Sequence, residues 1–347
     1  MDALGAGRAV ILPTETVYGL AFRPDGADAE AFAAATRGAD PGRPLTLHRA
    51  SAEGLAELVE LPAMTARLLD RYVPGPLTLV TRPVERAVGP LADHLRLVSH
   101  EGWAGLRIPG HAGAAAILEA AAFPVAVVSL EGTDGTPART ATEAARARGA
   151  ELATLLLDAG AASLGQRSTA VALGRGRFEI LREGIVGAEA LQSTAGLRIL
   201  FVCTGNTCRS PMAEALARRA IQDAIGHAEE ARFGFEVRSA GVYAGPGAPA
   251  SENAVTAMAD RGIDLTGHSS RPAIDREVQG FDRVYCLTRS HRDALLSVLP
   301  PGAASRVELI DPDGRDVPDP FGGPLEIYRA TADVIEEFVR RRTPEWV

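Results

Sequence analysis

Short uninterrupted apolar runs recur along the chain, among them AVIL (9–12), LTLV (77–80), TAVAL (169–173) and LRILFVC (197–203). Runs of this length without polar alternation read as strands buried on both faces. In the first half, AVILP, LTLHR, LTLVTR, GLRIP, PVAVVSL and STAVAL predict strands. DAEAFAAATR, AMTARLLDRYV and HAGAAAILEAAA predict helices, and FEILREGIV a strand with a turn. The pattern breaks at GAEALQSTAG (187–196) and restarts with LRILFVC. Beyond it, SPMAEALARRAIQDAI opens with Ser and Pro, as a helix start does. FEVRSAGV and FDRVYCL predict strands, SENAVTAMADRG a helix closed by Gly262, and LEIYRATADVIEEFVRRR an amphipathic closing helix. Strand–helix alternation of this kind builds a parallel sheet with helices on both faces. The expectation is an α/β chain of two domains: a mixed α/β domain over residues 1–190 and a doubly wound parallel-sheet domain over 197–347.

Composition narrows the chemistry. A length of 347 residues exceeds the usual single core, which agrees with two domains. No window approaches the length of a membrane span, and MDALGAGRAV lacks the basic and apolar regions of a secretion signal. A cytoplasmic protein without a membrane partner is therefore expected. Every Lys/Arg position is Arg, so no step can use a lysine amine. A formal charge of −8, spread over both halves, argues against a surface that coats nucleic acid. The three cysteines form no disulfide framework and fit a reducing compartment.

Two of those cysteines lie in CTGNTCRS (203–210), between a strand and a helix. The unpaired amides and dipole at a helix N-terminus favour an anion. Gly205 and Asn206 tolerate the left-handed backbone that a loop curling around phosphate needs. A cysteine at the strand's end, Cys203, would face this cradle, where the field favours a thiolate nucleophile. Arg209 offers a planar fork for phosphoryl oxygens, and Ser210 a hydrogen bond to the sulfur. A leaving group needs an acid, and IDPDGRDVPDPFGG holds Asp311, Asp313, Asp316 and Asp319. Spacing does not choose among them. No clustered partner ligands point to a metal.

The pattern Cys203, five residues, Arg209, then Ser210-Pro211, resembles the phosphate loop of low-molecular-weight protein phosphatases. The resemblance continues through VRSAGV (237–242), GIDLTGHSSRP (262–272), DRVYCLT (282–288) and VPDPFGG (317–323). It implies a cofactor-free enzyme acting on phosphorylated proteins through a phosphocysteine. In it, Cys203 is the nucleophile, Arg209 the phosphoryl binder and Asp319 the general acid. Thr204, Gly205, Asn206, Thr207, Cys208, Ser210 and Phe321 surround the substrate. Thr207, where tyrosine-specific members carry a branched apolar residue, makes the loop similar to that of bacterial protein-arginine phosphatases. A hydroxyl there can bond a guanidinium, and Phe321 can flank it. Tyrosine specificity is the alternative. Cys208 reads equally as a redox partner of Cys203 or as a small buried filler. Cys286 in VYCL reads as an inert buried thiol, and the chain lacks the further cysteines that a thiol-relay arsenate reductase needs.

In the first half, ILPTETVYGLAF (11–22) reads as a strand followed by a hydroxyl-rich turn and Gly19. It resembles the opening of the YrdC-like family, which makes threonylcarbamoyl-adenylate from threonine, bicarbonate and ATP for tRNA modification. RPLTLH, YVPGPLTLV, GLRIPGH, PVAVVSLEGTDG and GQRSTAVAL extend the match over about residues 6–186. The resemblance places a ligand site at Thr14, Thr16, Tyr18, Arg37, Arg107, Ser129 and Ser168. The chain departs from the family pattern at three places. Arg37 and Ala39 replace its Lys-x-Arg, with Arg43 nearby. Glu131 replaces the Asn of Ser-x-Asn, and Arg167 replaces the Glu before Ser-Thr. These changes imply a domain that binds threonine, ATP or another nucleotide, or RNA, without full turnover. The alternatives are a bifunctional enzyme and a binding protein for nucleotide or RNA, double-stranded RNA included.

Overall fold

Burial on both faces is what turns the short apolar runs into sheet interior. The computed structural model describes residues 2–37, 45–53, 59, 61–83, 99–121, 123–174, 177–225, 233–274 and 278–347. The chain divides into two units, Met1–Leu191 and Gln192–Val347.

The first unit is built on nine strands: β1 (Ala9–Leu12), β2 (Gly19–Phe22), β3 (Thr46–His48), β4 (Leu77–Thr81), β5 (Ala104–Arg107), β6 (Val125–Ser129), β7 (Ala153–Leu156), β8 (Thr169–Gly174) and β9 (Arg177–Arg182). Their order is β7-β1-β2-β6-β3-β5-β4-β8-β9. Pairing is mixed: β1–β2 and β4–β5 are antiparallel, while β3–β5 and β4–β8 are parallel. Every residue of β1, β2, β4 and β5 is buried. The helices expected from the pattern form at Ala29–Arg37, Ala63–Tyr72 and Ala112–Ala120. GLAF, read as the sequel to a turn, is strand β2 and pairs with both β1 and β6. Strand β7, absent from the expected elements, is the run ATLL at the sheet edge, half exposed although its residues are apolar. The stretch where the pattern breaks is itself helical, over Ala188–Ala195.

The second unit is a four-stranded sheet in the order β11-β10-β12-β13, from β10 (Arg198–Cys203), β11 (Glu236–Gly241), β12 (Arg283–Cys286) and β13 (Val307–Leu309). All its pairings are parallel. Helix Arg209–Ala224 follows β10 and buries Met212, Ala213, Leu216, Ala217 and Ile221. It packs against the closing helix Leu325–Trp346. Trp346 ends that helix fully buried, its indole N–H donating to Tyr285 Oη at 3.0 Å and its ring edge-on to Phe201. An aromatic side chain buried in this way contributes on the order of 2 kcal/mol.

Strand order decides where a ligand can sit. The chain leaves β10 for β11 on one side, and β12 lies on the other. Such a reversal opens a crevice beyond the carboxyl ends of the strands, at the end of β10. The loop 204–208 lies there, held against β11 by Val242 N–H donating to Cys203 O and Tyr243 N–H donating to Thr204 O, both at 2.9 Å. Gly241 permits this approach: a Cβ on it would come 2.4 Å from Thr204 O and 2.8 Å from Asn206 N.

Candidate active site

The loop of the second unit is shaped by Asn206. Its backbone is left-handed, with φ of 54°, and its side chain is fully buried. Asn206 Nδ2 donates to Ser210 Oγ and to Ser239 Oγ, each at 2.9 Å. Its Oδ1 accepts the Arg271 amide at 2.8 Å, and its carbonyl lies 2.7 Å from His268 Nε2. The tight curl aims its amide at Cys203 Sγ, 3.3 Å away.

Cys203 ends β10 and is 3% exposed. Its sulfur lies 3.0 Å from Ser210 Oγ. Ser210 Oγ already accepts from Asn206, so its single proton goes either to Ala240 O, at 3.2 Å, or to the sulfur. A thiolate draws that proton, because a charge-assisted bond is the stronger one. No side chain caps the helix that starts at Arg209, which leaves its first amides to an anion at the loop.

Arg209 is buried, and its Nη2 donates to Asp319 Oδ2 at 2.7 Å. Thr204 Oγ1 and Val317 O each lie 3.5 Å from its guanidinium nitrogens. The other acids of the tail are engaged elsewhere. Asp311 is buried and bound by Arg315 and Arg341 at 2.7 and 2.8 Å. Burial alone would push its carboxyl up, but Arg315 and nearby amides hold it below the ordinary value. Asp313 pairs with Arg341, and Asp316 accepts the Arg289 amide. Asp319 is the acid brought to the loop, its side chain half exposed.

Thr207 is partly buried, with its carbonyl bound by the Ser251 amide at 2.9 Å. Cys208 Sγ faces Ser251 Oγ at 3.4 Å and Tyr328 Oη at 3.5 Å. Burial and the neighbouring Cys208 sulfur push the Tyr328 phenol up. All three thiols are free, and burial pushes the Cys286 thiol well above the ordinary range. Phe321 is 79% exposed, with its amide bound to Asp319 Oδ1. Tyr243 is equally exposed, and its amide is bonded to Thr204 O. Tyr243, Ser239, His268, Ser251, Tyr328 and His291 were not singled out from sequence. His268 was inside GIDLTGHSSRP, where a buried network is the only signal, and that signal exists only after folding.

In the first unit, Thr14, Val17, Tyr18, Thr46, His48, Thr78, Arg107, Ser129, Ser168 and Arg182 line a cavity of about 40 Å³. Arg107 Nη2 donates to Glu15 Oε1 at 2.8 Å and to Thr16 Oγ1 at 2.6 Å. Thr14 Oγ1 meets Thr16 Oγ1 at 2.9 Å and donates to Val17 O. Ser168 Oγ lies 2.8 Å from Thr78 Oγ1, and Arg182 donates to it and to the Ser168 carbonyl. Burial and the Arg107 charge push the His48 imidazole down to about 3. Tyr18 lines the cavity, yet its hydroxyl donates to Gly160 O at 2.7 Å and accepts the Ala159 amide. Arg37 ends its helix, and its side chain, like Ala39 and Arg43, lies outside the described residues. Glu131 and Arg167, two of the departures from the family pattern, are one ion pair at 2.6 Å.

Among the described residues no helix is long and apolar enough to cross a membrane. Residues 198–343 match the family model described as low molecular weight phosphotyrosine protein phosphatase, and residues 2–184 match the Sua5/YciO/YrdC model, described as telomere recombination. A protein-arginine-phosphatase of Geobacillus stearothermophilus is 37% identical over 147 residues, which is 42% of this chain and 92% of that protein. One of Bacillus subtilis is 38% identical over 146 residues, 41% of this chain and 92% of that protein. A low molecular weight protein-tyrosine-phosphatase of Streptomyces coelicolor is 36% identical over 148 residues, 40% of this chain and 87% of that protein. The chain thus belongs to two families, the Sua5/YciO/YrdC family through residues 2–184 and the low molecular weight phosphotyrosine protein phosphatase family through residues 198–343.

Proposed function

We propose that the second unit is a protein-arginine phosphatase working through a phosphocysteine at Cys203. One observation carries this reading. The Cys203 sulfur receives the Asn206 amide and faces Ser210 at an uncapped helix start, where Arg209 pairs with Asp319 from the distant 310–324 segment.

The steps follow from that arrangement. The phosphoryl group takes the loop amides and competes with Asp319 for Arg209. The Cys203 thiolate attacks phosphorus, the P–N bond breaks, and Asp319, protonated, gives its proton to the leaving guanidine nitrogen. Asp319, now ionised, takes a proton from the water that attacks the S–P bond. The thiolate leaves with the Ser210 hydroxyl hydrogen-bonded to it. No metal enters these steps.

Overall identity does not separate arginine from tyrosine substrates, because relatives of both kinds are similar to this chain. Thr207 supports the arginine reading. A hydroxyl on the loop can bond the polar guanidinium of phosphoarginine, whereas a branched hydrocarbon favours a phenyl ring. Exposed Phe321 and Tyr243 supply flat surfaces beside it. The free thiols fit a reducing cytoplasm.

For the first unit, we infer a binding domain that does not make threonylcarbamoyl-adenylate. Glu131 stands where the family carries an Asn, which puts a carboxylate in place of an amide. Arg107 is engaged by Glu15, and Arg167 is tied to Glu131.

Three outcomes test these readings. Cys203→Ser is expected to lower phosphoarginine hydrolysis by at least about a thousandfold, measured as phosphate release; turnover near that of the parent would remove Cys203 as nucleophile. Thr207→Ile is expected to shift the ratio of kcat/KM for phosphoarginine over phosphotyrosine downward by about tenfold or more. An unchanged ratio would show that Thr207 only fills space. The whole chain, given ATP, threonine and bicarbonate, is expected to release no pyrophosphate above a protein-free control. Sustained release would restore the synthase reading.

A further inference from the structure

Beneath the loop lies a buried histidine that the steps above leave unused. His291 is 3% exposed and sits in the first turn of helix Arg289–Leu296, whose N-cap Thr288 accepts its amide. Hydroxyls engage both ring nitrogens: Thr288 Oγ1 lies 2.9 Å from Nδ1, and Thr204 Oγ1 lies 2.9 Å from Nε2.

The donor at the far end fixes one proton direction, and the ring tautomer sets the rest. Arg209 Nη2, 3.5 Å from Thr204 Oγ1, can only donate. Thr204 Oγ1 therefore accepts from Arg209, and in the Nδ1-protonated tautomer of the neutral ring it gives its own proton to His291 Nε2. The ring then carries its proton on Nδ1 and donates it to Thr288 Oγ1, whose proton goes to Ser290 Oγ at 2.8 Å. A protonated ring would instead turn Nε2–H onto the Thr204 oxygen and set a second cation beside Arg209. Burial and the Arg209 charge, opposed by Asp319 and Asp316, hold His291 down at about 4, so the ring is neutral at neutral pH.

This direction matters once Asp319 turns to the leaving group. Arg209 then gives up its 2.7 Å acceptor. Thr204 Oγ1 and Val317 O are the other protein acceptors described for it. We propose that His291 is a positioning residue, whose acceptor Nε2 aims the Thr204 hydroxyl so that Arg209 keeps its phosphate-binding orientation while Asp319 acts as acid. The proposal rests on the phosphatase reading of the second unit.

The test compares His291→Phe, which fills the space without a nitrogen, with His291→Gln, whose amide oxygen can accept from Thr204. Hydrolysis of p-nitrophenyl phosphate, affinity for inorganic phosphate and Tm are measured on the whole chain. His291→Phe is expected to lower kcat/KM and phosphate affinity about tenfold each. His291→Gln should recover most of both, and Thr204→Val, at an exposed position, should match His291→Phe. The double variant Thr204→Val/His291→Phe should be no worse than either single one. Where His291→Phe does not fold, the proposal stands or falls on the loss in Thr204→Val and its absence in His291→Gln. Parent-like phosphate affinity in Thr204→Val, a His291→Gln as impaired as His291→Phe, or losses that multiply in the double variant would overturn it. Phosphate affinity is read without turnover. A parent chain that binds phosphate but hydrolyses nothing would contradict the phosphatase reading and leave the His291 comparison intact.

Discussion

The second unit depends on one residue held in an unfavourable backbone conformation. A left-handed Asn costs on the order of 1 kcal/mol. Asn206 offsets that cost with hydrogen bonds to Ser210, Ser239 and the Arg271 amide, each contributing about 1 kcal/mol net. Those bonds tie the loop to β11 and to the 268–271 segment. The amide of Asn206 then points at Cys203, and the helix that follows presents its uncapped start to the same space. Ser239 passes the network on to Glu214 on the following helix, so loop, strand and helix are fixed together. The anion cradle is the consequence of this clamp.

Charge completes the cradle. A buried guanidinium is costly without a partner, and Arg209 has one in Asp319. The pair keeps Arg209 in place before substrate arrives, and a phosphoryl dianion can replace the carboxylate as partner. In the first unit the same rule pairs two arginines with carboxylates. Arg107 and Glu15 pair in the interior, where Arg107 Nε and Glu15 Oε2 are left without a partner, and Arg167 and Glu131 pair nearer the surface. Glu131, taken alone, would repel phosphates; paired with Arg167, its charge is offset.

Much of the second unit was legible because its signals are local. The buried run LRILFVC, the helix start at Ser210-Pro211 and the Cys203–Arg209 spacing all lie within one short stretch. The carboxylate that meets Arg209 was not legible from spacing, because four Asp residues share one loop. Asp311 is held locally by Arg315, and only tertiary contacts add Arg341 to it and bring Asp319 to Arg209. Strand β13 was missed because Glu308 interrupts its three residues and leaves no apolar run. Tyr18 looked available for a ligand, but its hydroxyl is spent on residues far along the chain, Ala159 and Gly160. The pairing of Glu131 with Arg167 was hidden for the same reason. Read alone, each residue is a departure from the family pattern; in the fold the two form one ion pair.

The central claim is that this loop selects a guanidinium phosphate. Its most direct test sets a phosphoarginine-containing protein beside a phosphotyrosine peptide, with the unmodified chain and equal conditions, and compares kcat/KM. The account expects phosphoarginine to be favoured by at least about tenfold. Equal turnover, or a preference for phosphotyrosine, would contradict it.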